Sequence, residues 1–206
     1  MVDDERAASP EEMLRVIERQ QVATVKALQG DPLLLYAPWG VAWLISFTVF
    51  FLRYGLHGVP YAPITLTQAM SVQVASLVFA GAVVAYGTVK MSGRVRGESQ
   101  AKGAMYGYTW FVGMILMSVI AIRFSPQLPP AETGLLWAGV SLMVVAIIYM
   151  AGGAIWSNWP MFFIGVWIAA VNALGVLLGP GWHALLAAVL LGAGQIVIAL
   201  WLRRRS

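Results

Sequence analysis

The stretch PMFFIGVWIAAVNALGVLL, residues 160–178, carries no charged side chain, and its only amide is Asn172. A run of this length and apolarity matches the ~20 residues an α-helix needs to cross the ~30 Å hydrocarbon core of a bilayer. Five more runs of the same character surround it, at 35–54, 65–89, 104–124, 134–156 and 182–201. Polar or turn-forming residues punctuate them: His57-Gly58-Val59-Pro60, residues 90–102, Ser125-Pro126 with Pro129-Pro130, Asn158, and Gly179-Pro180-Gly181. The whole chain, 206 residues with 60% apolar and 11% charged side chains, is too apolar for a water-soluble domain of this size. The expected fold is therefore an all-α polytopic membrane protein of six transmembrane helices. The short last connections favour antiparallel neighbours and leave no room for an extramembrane domain.

Orientation follows from the basic residues. Arg6, Arg15, Arg19, Lys26, Lys90, Arg94, Arg96, Lys102, Arg203, Arg204 and Arg205 fall on one side, and only Arg53 and Arg123 on the other. The positive-inside rule then puts both termini in the cytoplasm, in an integral plasma (inner) membrane protein. The net charge of +4 is explained by this clustering, so no nucleic-acid partner is expected. Pro38 lies near the expected start of the first span, where a missing N–H costs little.

Four segments are expected. Residues 1–34 form a cytoplasmic N-terminal segment, 35–201 the six-helix bundle, 90–103 a basic cytoplasmic loop within it, and 202–206 a basic tail. Ser9-Pro10-Glu11-Glu12 has the form of a helix start and predicts a helix over about 10–29. Met13, Leu14, Ile17, Ala27 and Leu28 gather on one side of its wheel and Arg15, Arg19 and Lys26 on the other, an amphipathic pattern suited to the membrane interface. Asp31-Pro32 ends it. In the basic loop, Lys90, Arg94, Arg96 and Lys102 are candidates for contact with anionic lipid headgroups, and its glycines do not form a phosphate-binding motif.

No ionisable residue falls near the middle of any span, which argues against proton coupling. Uncharged polar residues do fall inside. Gln73, Tyr149, Asn172 and Gln195 are the cavity candidates, because an amide or phenol in hydrocarbon must find a partner or a wet space. Gln68 and Ser71 sit nearer the outer mouth. Small residues recur at helical spacing, as in Gly165–Ala169–Ala173 and Ala184–Ala188–Gly192, and allow close helix approach. The doublet Gly152-Gly153 suits either a local break that acts as a gate or tight packing. Gly40-Val41-Ala42-Trp43, Gly107-Tyr108-Thr109-Trp110 and Gly165-Val166-Trp167 open alternate spans, so the chain admits a three-hairpin organisation.

His57 and His183 both fall at the outer mouth and are the one pair that could share a metal or a porphyrin, but two histidines alone lack the spacing of such a site, and interfacial solvation is the expected explanation. Without cysteine, and with two histidines in all, no metal site and no cofactor is expected. No HExxH, GxSxG or carboxylate pair is present, so an enzyme is not expected. The function read from these features is transport or intramembrane binding of a small neutral or amphipathic solute. The alternative is a noncatalytic accessory or scaffold subunit. The expected partners are the lipid bilayer with its anionic lipids, and either a second copy of the chain or a different membrane protein.

Overall fold

The computed structural model describes residues 9, 11, 13–16, 31–92 and 98–205. Within them the chain is helical, without strands, and six helices are long and apolar enough to span a membrane. This is the architecture of an integral membrane protein. The helices are α1 (Pro32–Tyr54), α2 (Leu66–Ser92), α3 (Glu98–Phe124), α4 (Pro130–Ile155) and α5 (Trp159–Leu178), followed by a sixth span in three parts. That span starts as α6 (Pro180–Leu186), passes through a π-helical segment (Ala187–Ala193) and ends as α7 (Gly194–Arg205). Of the amphipathic helix expected over 10–29, most lies outside the described residues; Met13 to Val16 are helical and exposed, with Met13 N–H donating to the Ser9 carbonyl at 3.0 Å.

Local chemistry sets the helix ends. Asp31 caps α1, its Oδ1 accepting from Leu33 N–H at 3.0 Å, and Pro32 takes the first position, where no donor is required. Because α1 begins there rather than near residue 35, Pro38 lies inside the helix and removes one intrahelical bond, a greater cost than a position in the first turn would impose. Gly55 ends α1 at φ 59°, a conformation that favours glycine. Thr65 and Gln68 form a reciprocal capping box on α2: Thr65 N–H donates to Gln68 Oε1 at 2.9 Å, and Gln68 N–H donates to Thr65 Oγ1 at 3.2 Å. Asn158 caps α5 through Met161 N–H at 3.0 Å.

The spans are not equally buried. In α1, α4, α5 and the sixth span, 33–39% of the most apolar window is buried, against 11% in α2 and 6% in α3. The first four make the core, where Trp43, Phe47, Leu142, Tyr149, Ile168 and Leu191 pack together. α2 lies against α1 and α3 against α4, as two flanking wings that do not pack extensively on one another. The pairs α1–α2, α3–α4 and α5–sixth span each pack as a hairpin would, but the large α4–α5 and α1–sixth-span interfaces cut across that division.

Glycine makes the closest of these approaches. A Cβ at Gly192 would lie 2.6 Å from Leu44 N, one at Gly40 2.8 Å from the Gly192 carbonyl oxygen, and one at Gly165 2.8 Å from the Ala146 carbonyl oxygen. In hydrocarbon such backbone-to-backbone packing replaces the hydrophobic drive that holds soluble cores together. Gly165→Ala is therefore expected to destabilise the bundle by about 1–3 kcal/mol through overpacking. Gly103→Ala, inside α3 with nothing within 4 Å of the new methyl, should raise stability slightly, by up to about 1 kcal/mol through helix propensity. Unfolding of both variants in mixed micelles, followed by circular dichroism, checks the contrast.

Candidate functional site

Three of the four polar residues placed in the interior by sequence are buried, and they fall into two tiers. In the first, Asn172 of α5 donates from Nδ2 to the Gly139 carbonyl of α4 at 2.8 Å, while its Oδ1 lies 2.9 Å from His183 Nε2. Only the amide nitrogen can serve the carbonyl, so Oδ1 faces the imidazole and His183 Nε2–H is the donor to it. The ring also meets Phe47 of α1 edge-on at 5.9 Å. Glycines provide the room, since a Cβ at Gly175 would lie 2.8 Å from His183 Cδ2 and one at Gly139 3.0 Å from Val176 Cγ2. His183 is 3% exposed, so it is a core residue and not a solvated interfacial one.

The second tier lies toward the other end of the bundle. Gln195 of α7 donates from Nε2 to the Tyr149 hydroxyl of α4 at 3.4 Å. The Tyr149 ring meets Trp110 of α3 at 6.1 Å, Trp110 meets Tyr106 at 6.4 Å, and Tyr106 meets Trp156 at 4.8 Å, each edge-to-face. Tyr106 also donates its hydroxyl proton to the Ile148 carbonyl at 3.2 Å. Tyr36 of α1 packs at the margin of the same core. This aromatic ladder is the main way in which the wing helix α3 engages the core.

The π-helical segment between the tiers determines how they line up. His183 and Gln195 are twelve residues apart, about 18 Å along a helix at ~1.5 Å per residue. At ~100° per residue an unbroken α-helix would set them about 120° apart around its axis. A π segment holds one more residue in each hydrogen-bonded loop and turns less per residue; seven such residues remove roughly 100–130° of rotation. The two polar residues consequently share one face of the sixth span, toward α4 and α5. The altered backbone is held from outside as well, because Trp167 Nε1–H donates to the Leu190 carbonyl at 3.2 Å.

The other candidates lie elsewhere. Gln73 is half-buried on α2, outside both tiers. Gly152 and Gly153 sit in unbroken helix, buried under Met161, Tyr106 and Phe162, where a Cβ at Gly153 would come 2.6 Å from Phe162 N; they serve close packing. The irregular backbone is at Ala187–Ala193 instead. His57 occupies an exposed turn at φ 58° while His183 is engaged with Asn172, so the two histidines form no common site. Among the described residues no group of His, Asp or Glu could hold a metal ion. Lys102 is exposed; Arg94, Arg96 and the side chain of Lys90 lie outside the described residues. Sequence reasoning did not single out Ser46, 2% exposed with an unpartnered hydroxyl, nor the part that Trp110 and Trp167 play in linking helices.

Asn172→Leu would strand both the Gly139 carbonyl and His183 Nε2–H. It should cost about 1–2 kcal/mol, whereas Gln195→Leu, which removes a longer bond, should cost well under 1 kcal/mol. Reversible unfolding in mixed micelles of each variant, and of Asn172→Leu combined with His183→Phe to measure the coupling, tests this ordering. The chain matches no protein-family model, and comparison with curated proteins and with solved structures gives no match.

Proposed function

We propose that the protein binds and passes a small neutral or amphipathic solute within the bilayer, without proton coupling. The observation that carries this reading is the π-helical segment, which brings the Asn172–His183 and Gln195–Tyr149 tiers onto one face of the sixth span. Uncharged donors and acceptors at two depths suit a solute that exchanges water for amide, imidazole and phenol partners in two steps. Irregular helix between them is the usual place for such a binding backbone, because π-bulges concentrate at functional positions. Gln195 holds Tyr149 by a long bond, so a solute hydroxyl or carbonyl competes for that amide at low cost.

The same reading places the protein in the cell membrane with both termini cytoplasmic. Eleven basic residues on one side and two on the other support that orientation. Lys90, Arg94, Arg96 and Lys102 would then face the anionic inner leaflet. A second reading, an accessory subunit that binds another membrane protein, draws on a different observation: α2 and α3 bury only 11% and 6% of their apolar windows within the chain.

Flux into proteoliposomes of glycerol, urea and a short-chain zwitterionic amphiphile separates the readings. Flux of at least one should exceed that of protein-free vesicles. It should fall by about tenfold, equivalent to ~1.4 kcal/mol of barrier, when one alanine is inserted between Gly194 and Gln195, in regular helix beyond the π segment, to turn Gln195 by ~100° away from His183. Gln195→Leu should lower it in a protein that still folds. Absence of flux for all three, with a second membrane protein retained at fixed stoichiometry on native mass spectrometry, would replace this reading with the accessory one.

A further inference from the structure

At the end of the bundle where α1 meets the starts of α2 and α4, one cation stands without a counter-ion. Arg53 lies in the last turn of α1, half-buried, and its Nη1 donates to the Ile64 carbonyl just before α2. Its guanidinium stands 5.9 Å from the centroid of the Tyr54 ring. Among the described residues no carboxylate pairs with it; Glu132, in the first turn of α4, is exposed and makes no ion pair to it. A guanidinium at the edge of hydrocarbon with no anion beside it is costly.

The donors left over have a pattern. With Nη1 engaged, the guanidinium retains the side-on edge formed by Nε–H and Nη2, the edge that takes two oxygens of one oxyanion in parallel. Nε is buried and without a partner, while Nη2 has no protein partner and is not sealed off. Beside it the Tyr54 hydroxyl is also buried and unpartnered. The guanidinium lies over the Tyr54 ring, and neither Nε nor the hydroxyl has a partner within hydrogen-bond geometry. Two of the three buried polar side-chain atoms that lack a partner among the described residues thus belong to neighbouring residues at one place; the third is Ser46 Oγ.

The Tyr54 hydroxyl lies over Gly134, where a Cβ would stand 2.2 Å from it, so it reaches the second turn of α4. The residue before that helix is Pro129, which supplies no side-chain cap, and Glu132 in the first turn already complements the helix dipole, so the attraction for an anion here rests on Arg53 and Tyr54. Arg53 and the Tyr54 hydroxyl therefore meet at one corner, beside the second turn of α4.

We propose that Arg53 binds an oxyanion, a phosphate group, on its Nε–Nη2 edge, with Ile64 and Tyr54 as positioning residues that fix the guanidinium plane. The phosphate comes either from a lipid headgroup of the adjoining leaflet or from solution. This site is independent of the solute reading above, since it shares no residue with either polar tier.

The test uses the full chain in phosphatidylcholine nanodiscs, read by native mass spectrometry with two probes. One is phosphatidylglycerol doped into the disc, and the other is inorganic phosphate in the buffer. Retention of one phosphatidylglycerol per chain, lost about tenfold in Arg53→Gln as expected for one charge-assisted contact, partly restored in Arg53→Lys and unchanged in Arg123→Gln, an exposed arginine at the end of α3, establishes the site with lipid as its source. Arg53-dependent binding of inorganic phosphate without lipid selectivity establishes it with a soluble source. Arg53→Gln that melts at the wild-type temperature and binds both probes as the wild type does would overturn the proposal. Tyr54→Phe keeps the ring under the guanidinium while removing the hydroxyl, and should weaken whichever probe binds by about two- to threefold with unchanged melting.

Discussion

In the bilayer interior there is no water to satisfy a polar group, so each backbone and side-chain donor must find its acceptor within the protein. This constraint accounts for the parts of the bundle that depart from plain helix. The π-helical segment displaces the regular ladder of the sixth span, and the Trp167 indole contributes a bond to Leu190 from the neighbouring helix. The Asn172 amide is used at both ends, toward Gly139 and toward His183. Tyr106, in a wing helix with little burial of its own, is fixed through its hydroxyl to the Ile148 carbonyl. Side-chain polarity here is structural cement first, and any function has to be performed with groups that already hold the bundle together.

The number and placement of the spans were legible in the sequence because hydropathy and turn residues are strong, local signals. Asp31-Pro32, Asn158 and Gly179-Pro180-Gly181 end or begin helices where their backbone preferences require. The buried standing of Tyr149, Asn172 and Gln195 was legible too, since a lone amide or phenol in an apolar run has few places to go. Their pairing was not. An ideal wheel sets His183 and Gln195 on different faces, and nothing in the run Ala187 to Ala193 distinguishes a π segment from an α-helix of the same small and aliphatic residues.

One misreading and one open alternative have a common cause. His183 was expected at a wet interface because it follows Gly179-Pro180-Gly181 so closely, yet Gly175 and Gly181 let the start of the sixth span sink against α5 and the end of α1, taking the imidazole with it. Gly152-Gly153 was open to reading as a break, yet the same absence of side chains admits Phe162 and Met161. Glycine in a membrane helix signals both close contact and flexibility, and only the neighbouring helix decides between them.

The tight turns of the last three spans bear on how the chain enters the membrane. Three residues, 156–158, separate α4 from α5, and Gly179 alone separates α5 from the sixth span. At ~3.5 Å per residue such tethers reach only about 10 Å and 4 Å, far less than the thickness of the bilayer. None of these helices can wait on the far side while its neighbour inserts, or take an orientation of its own. The three must be delivered as one zigzag with a single shared direction, so charge on either flank of it, in the segments made before it or in the Arg203–Arg205 tail, acts on all three spans together.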